Sequence, residues 1–154
     1  MNLIERAQEL YAWAYKRDYN YVFKAYPDTF VNVDKLMQSG FEQHDFFGHW
    51  LTAPGTPRGD GTVNKYGCLG GGEGYWLSRR ACELVMKATP CVDPIGEDTW
   101  VGEVMGKNGI KMVDHPGYGE GITLHGSVRD NPVDYRPGRY RNSYMYATYK
   151  RLRG

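Results

Sequence analysis

The chain has 154 residues, 41% of them hydrophobic and 24% charged, the balance of an ordinary globular domain. That composition excludes a disordered tail, a coiled coil and a collagen-like repeat, and no apolar run approaches the ~18 residues that a membrane helix needs. Nineteen Lys and Arg against eighteen Asp and Glu leave a net charge of +1, which argues against a general nucleic-acid binder.

The excess lies elsewhere, in 20 Gly and 13 Tyr. So much Gly in a compact chain implies tight turns and places where backbone approaches something closely. The start, Met1 to Arg6, has no apolar signal core and runs directly into a helix. Three cysteines, Cys68, Cys82 and Cys91, cannot all pair within the chain and lack CxxC spacing. Packed, reduced thiols in a reducing, cytoplasmic compartment are the expectation.

In chain order, Asn2 and Glu5 fit a capping box, and Leu3, Ile4, Ala7, Leu10, Tyr11 and Ala14 recur at helical spacing. Tyr19 to Ala25 is aromatic and β-branched and reads as a buried strand, ended by Pro27. A short helix through Leu36 and Met37 closes at Gly40, and Asp45 to Trp50 reads as a strand. Thr52 to Gly61, with its Pro, Gly and Thr, is a loop by composition. Gly70 to Gly74 leads into Tyr75-Trp76-Leu77, and Ser78 caps a helix carrying Ala81, Leu84, Val85 and Ala88 that stops at Thr89-Pro90. After a break at Pro94 to Gly96 a helix starts near Asp98, with Trp100, Val101, Val104 and Met105 inward and Gly109 at its end. Ile110 to Val113 and Ile122 to His125 read as strands flanking a flexible turn at Gly117 to Gly121. From Asn131 the chain is basic and rich in Tyr. Helices alternating with strands imply an α/β layered domain.

Several chemistries fail on spacing. Gly70 to Gly74 does not follow GxGxxG, and Gly102 to Asn108 misses a P-loop by one residue and by Asn where Ser or Thr is required. His44 and His49 lie five apart, unlike the pair of an HExxH helix, and there is no GxSxG elbow. What remains is a set of polar residues at element ends. Asp28 follows a strand, where ligand groups of open α/β sheets gather. Glu97 and Asp98 open a helix, whose dipole favours their charged forms. His125 ends the last strand. A turn aspartate, a capping Glu-Asp pair and a structural histidine would explain the same residues singly.

Their order suggests more. Phe23-Lys24-Ala25-Tyr26-Pro27-Asp28-Thr29-Phe30-Val31 resembles the strand and metal-binding turn of fringe-like β-1,3-glycosyltransferases, in which an aromatic residue, Lys and a small residue precede Asp-Asp-Asp. Gly71-Gly72-Glu73-Gly74-Tyr75-Trp76-Leu77-Ser78 resembles the family's Gly-Gly-x-Gly-Tyr-x-Leu-Ser segment, and Glu97-Asp98-Thr99-Trp100-Val101-Gly102 its Glu-Asp-x-x-x-Gly motif. Ile122 to His125 matches a late strand ending in His. The four motifs, in the family's order, span about residues 10 to 130.

The resemblance implies a partial GT-A-type mixed sheet flanked by helices over residues 1–130, followed by a basic, Tyr-rich tail over 131–154. It implies transfer of a sugar from a nucleotide-diphosphate sugar to a hydroxyl of a glycan or another acceptor. Asp98 corresponds to the general base, and Asp28 and His125 to ligands of Mn²⁺ or Mg²⁺, whose charge would offset that of the departing diphosphate. Gly71, Gly72, Glu73, Gly74 and Glu97 would contact substrate, with Tyr75 or Trp76 walling the pocket. Two departures qualify this. Tyr26-Pro27-Asp28 stands where the family has three aspartates, so the first carboxylate of the DxD pair is missing and metal binding should weaken. Family domains also carry, ahead of the first helix seen here, a βαβ-type segment that holds the nucleotide. The chain begins after it, which implies a half-built donor site or a partner chain that completes it. A non-catalytic remnant that binds carbohydrate or a protein partner is the alternative. Interleaved Tyr and Arg near the C-terminus suggest a nucleic-acid or anionic-membrane surface, a reading that the near-neutral charge opposes.

Overall fold

The computed structural model describes residues 3–58, 61–90, 96–118 and 121–125. Asn2 of the capping box, Cys91, most of the Pro94 to Gly96 break, part of the Gly117 to Gly121 turn and the Tyr-rich tail lie outside them. The described residues form a mixed α/β fold.

Helix α1 (Leu3–Lys16) buries Ile4, Ala7, Tyr11 and Ala14, a stripe at helical spacing. A four-stranded sheet follows in the order β1-β8-β3-β9: β1 (Tyr21–Lys24), β3 (Phe46–Gly48), β8 (Tyr75–Ser78) and β9 (Met112–Asp114). Strand β8 runs antiparallel to both neighbours, while β3 and β9 are parallel. The strand read over Tyr19 to Ala25 is therefore shorter than expected and sits at the sheet edge, with only Lys24 buried. Central β8 is buried at all four residues.

Pleating explains the two cores. Successive side chains leave a strand on opposite faces, so Tyr75 and Leu77 join Phe46, Tyr11, Val85, Trp100, Val101 and Met105 on the face covered by α1, α3 (Arg79–Lys87) and α4 (Glu97–Lys107). Trp76 joins Phe47, Leu36, Phe41, Tyr118 and Ile122 on the other face. There its indole stacks on Phe41 with ring centroids 3.8 Å apart. Its Nε1–H donates to the Tyr118 hydroxyl at 3.0 Å, so the polar atom stays partnered inside the protein.

Both predicted helices of the middle region are present. The Ser78 side chain accepts from the Ala81 N–H and starts α3, an N-cap contact worth about 1 kcal/mol. All four residues expected to face inward on α4 are buried, and Gly109 follows the helix at φ +72°. Helix α2 (Val33–Met37) is capped by Asn32, and Gly40 (φ +78°) then precedes a 3₁₀ turn at Phe41–Gln43.

Other readings need correction. Asp45 to Trp50 is not one strand: it divides between β3 and β4 (Trp50–Thr52). Thr52 to Gly61 is no open loop, because β5 (Thr56–Pro57) pairs antiparallel with β6 (Val63–Asn64). Strand β7 (Cys68–Leu69), which pairs with β4, was not anticipated. Strands β2 (Thr29–Val31) and β10 (Thr123–His125) pair antiparallel as a separate ladder. In the turn before β10, Tyr118 is fully buried and the Ile122 N–H donates to Gly117 O at 2.9 Å.

Candidate functional site

One edge of the main sheet gathers most of the polar residues singled out above. The register aligns Lys24 with Tyr75, Tyr75 with Gly48, and Gly48 with Asp114. That row is the C-terminal end of β1, β3 and β9, the end at which α/β sheets present ligand groups.

Beyond Lys24 the chain turns through Tyr26-Pro27-Asp28 into β2, with the Thr29 N–H donating to Tyr26 O at 3.1 Å. Strand pairing sets His125 opposite Thr29. As a result His125 Nδ1 lies 3.5 Å from Asp28 Oδ1 and 3.4 Å from Thr29 Oγ1. The Thr29 hydroxyl also donates to Gly72 O, which ties this ladder to the glycine loop. A Cβ on Gly72 would come within 2.5 Å of the His125 ring, and one on Gly71 within 2.5 Å of both Asp98 Oδ1 and Lys24 Nζ. The glycines are there because these side chains occupy the space.

Asp98 lies in the first turn of α4, and its Oδ2 accepts the Gly71 N–H at 3.0 Å. Its other oxygen faces the Tyr26 hydroxyl at 3.5 Å and Lys24 Nζ at 3.7 Å. The side chains of Asp28, His125 and Asp98 keep 22%, 18% and 14% of their surface exposed. All three are therefore reachable from solvent.

Beneath them runs a buried polar chain. Lys24 Nζ donates to Glu97 Oε2, Tyr75 OH donates to Glu97 Oε1 at 2.5 Å, and Tyr11 OH donates to Tyr75 OH at 3.0 Å. The Lys24 ammonium also lies 4.1 Å from the centre of the Tyr26 ring and 5.3 Å from that of Tyr75. Burial raises the Glu97 carboxyl above the usual carboxylate range, a shift that nearby Lys24 opposes. It also pushes the Tyr11 and Tyr75 phenols up, with Glu97 adding to both. The Tyr26 phenol is raised too, by desolvation first and then by the charge of Asp98.

The structure thus brings Asp28, His125, Gly71, Gly72 and Asp98 together. Gly74 lies at the loop's end, at φ +89° against Phe23, and the Glu73 carboxylate lies over Gly70. Three expected substrate contacts face the interior. Tyr75 is fully buried, Trp76 is 7% exposed and Glu97 4% exposed, so neither ring walls an open pocket and Glu97 is held by protein partners. Among the described residues no group of three or more His, Cys, Asp or Glu forms a metal cage. Asp28 and His125 stand as a pair, with the Tyr26 ring 6.1 Å from the His125 ring.

Sequence reasoning missed Lys24, although it belongs to the quoted motif, because its partner Glu97 lies 73 residues later. It also missed Thr29 as the clamp on Gly72, and the surface pair of His49 Nδ1 and Asp114 Oδ1 at 3.1 Å on the same sheet edge. No helix among the described residues is long and apolar enough to cross a membrane. Comparison with protein-family models and with curated proteins finds no match.

Proposed function

We propose that this sheet edge is the site of a glycosyltransferase that moves a sugar from a nucleotide-diphosphate sugar to an acceptor hydroxyl, on a GT-A-type domain of the fringe-like kind. The observation that carries the reading is convergence. Segments around residues 24–29, 71–74, 97–98 and 125, far apart in sequence and each resembling a motif of that family, meet within hydrogen-bond reach of one another.

Asp98 has the chemistry of the base. An attacking hydroxyl must lose its proton as its oxygen bonds to the anomeric carbon and the bond to the diphosphate breaks. One Asp98 oxygen is fixed by the Gly71 N–H, while the carboxylate stays partly exposed to receive that proton. Asp28 and His125 offer one hard oxygen and one imidazole nitrogen, a donor set that suits Mn²⁺ or Mg²⁺. A divalent cation held there would offset charge on the departing diphosphate.

One observation favours a second reading, a non-catalytic carbohydrate- or partner-binding relative. Tyr26 stands at the place of the first DxD carboxylate, its ring packed over Lys24 and its hydroxyl at Asp98. Calorimetry with Mn²⁺ and a panel of UDP- and GDP-sugars separates the two readings. Metal-dependent donor binding, lost in His125→Ala, supports the transferase. Asp98→Asn should then lower transfer by about 10²–10⁴-fold with donor affinity unchanged. Glycan binding without any metal-dependent nucleotide heat supports the remnant.

A further inference from the structure

We infer that Lys24 is a positioning residue that aims the Asp98 carboxylate across the Gly71–Gly72 loop. This inference rests on the reading of Asp98 as the base.

The geometry gives Lys24 little else to do. Its side chain is 9% exposed, so most of it is withdrawn from bulk water. It donates to Glu97 and faces Asp98 Oδ1 at 3.7 Å, a single cation shared between two adjacent carboxylates. Without it, the two anions at the start of α4 would repel one another at close range. Helix α4 alone does not orient Asp98: its N-cap, Gly96, offers no side chain, and the Asp98 oxygens find their partners on β1, the Tyr26 turn and the glycine loop. Lys24 is in turn held from below. Glu97 is fixed by Tyr75, Tyr75 by Tyr11 of α1, and the Tyr26 and Tyr75 rings both lie close to the ammonium. Such a supporting shell holds a reactive group within the tolerance that chemistry needs, where a displacement of ~1 Å costs roughly a hundredfold in rate.

The test uses the full chain and two readouts. The first, hydrogen exchange and the NMR shift of the Gly71 amide, reports whether that N–H still meets Asp98 and needs no catalysis. In Lys24→Met this amide should change shift and exchange about tenfold faster, while Lys24→Arg should keep it near its original state. Removing one partner of a buried ion pair can unfold a protein, so the double variant Lys24→Met/Glu97→Gln, which deletes both charges, is measured alongside and should show the same Gly71 change. The second readout is transfer. Lys24→Met should lower kcat about a hundredfold with donor KM within a few-fold, and Lys24→Arg should recover part of it. A Gly71 amide unmoved in a folded Lys24→Met or double variant overturns the inference, as does equal loss of kcat and donor affinity. If the unaltered protein shows no transfer while the Gly71 amide shifts as described, the reading of Asp98 as a base fails and the positioning of its carboxylate by Lys24 stands.

Discussion

Glycines crowd two regions of this protein, and the crowding has a different cause in each. Along the seam between α4 and the segment before β7, a Cβ on Gly102 would run into the Gly67 carbonyl oxygen, and one on Gly106 into the Tyr66 ring. Gly67, at φ +73°, is itself pressed by Thr52 O and by Met112. At Gly102 backbone meets backbone, and no charged side chain enters the contacts of this seam. In the Gly70–Gly74 loop Gly74 packs on Phe23, but at Gly70, Gly71 and Gly72 the nearest side chains are Glu73, Asp98, Lys24 and His125. The seam uses missing side chains to close a core, whereas the loop uses them to admit charged groups to one point. Substitutions that add a single methyl should therefore break the two regions in different ways.

Gly102→Ala carries the largest expected effect. The obstructing atom is a backbone carbonyl, which cannot swing aside as a side-chain tip can, so α4 must move off β7. Overpacking of this kind costs about 3 kcal/mol, read as a lowered urea midpoint. Cys68, next to the seam and 1% exposed, supplies a local reporter. Burial pushes its thiol up, so it should resist alkylation near pH 8.5, where an ordinary thiol is about half ionised. Peptide mapping should show faster labelling of Cys68 in Gly102→Ala. Unchanged stability and labelling would mean that the seam has slack.

At the loop, Gly72→Ala should cost about 1 kcal/mol of stability or less, because the His125 ring can give way. That displacement should instead weaken Mn²⁺-dependent donor binding by about 10–100-fold, the usual effect of disturbing a metal's surroundings. A variant that lost mostly stability would place the loop in the same class as the seam.

The loop should also respond to pH through Glu97. Its folded-state carboxyl is raised above the unfolded value by burial, so the folded form binds the proton more readily. The stabilisation is fully present below the unfolded value of about 4.3 and is lost as pH rises through the higher folded value. Relative to Glu97→Gln, which cannot titrate, the urea midpoint of the unaltered protein should fall as pH rises above about 4.3. A difference independent of pH would show that Lys24 fully offsets the burial.

The same contrast shows how much the sequence revealed. Local patterns carried the helices: the Ser78 cap, the inward stripe of α4 and Gly109 all behave as read. The resemblance of four ordered segments to the motifs of one family is what grouped Asp28, His125, Gly71, Gly72 and Asp98, none of which spacing alone would join. Burial was harder to read. Tyr75 and Trp76 looked like pocket walls, yet a central strand covered on both faces buries both rings, as its unbroken apolar run Tyr75-Trp76-Leu77 allows. Glu97 looked like a substrate contact because its protein partners, Lys24 and Tyr75, are distant in sequence. Gly102 and Gly106 mimicked a P-loop, but their spacing serves the α4 seam. The β5–β6 ladder was hidden because strands of two residues containing Pro57 read as loop.

Tyr26→Asp carries the smallest expected effect and probes the turn most directly. Removing the ring takes away its contact with the Lys24 ammonium, worth about 1 kcal/mol in a partly buried setting. The new carboxylate would stand near Lys24 and Asp98, so attraction to one and repulsion from the other partly cancel, and folding stability should change little. Metal affinity should change more, because a second hard oxygen two residues before Asp28 restores the spacing of a DxD turn. Mn²⁺ titration should then show tighter binding than in the unaltered protein, and the gain should vanish in Tyr26→Asp/His125→Ala if both side chains serve one ion. Equal affinity in Tyr26→Asp and the unaltered protein would mean that this turn does not aim residue 26 at the Asp28–His125 pair, and that the ring over Lys24 was never standing in for a ligand.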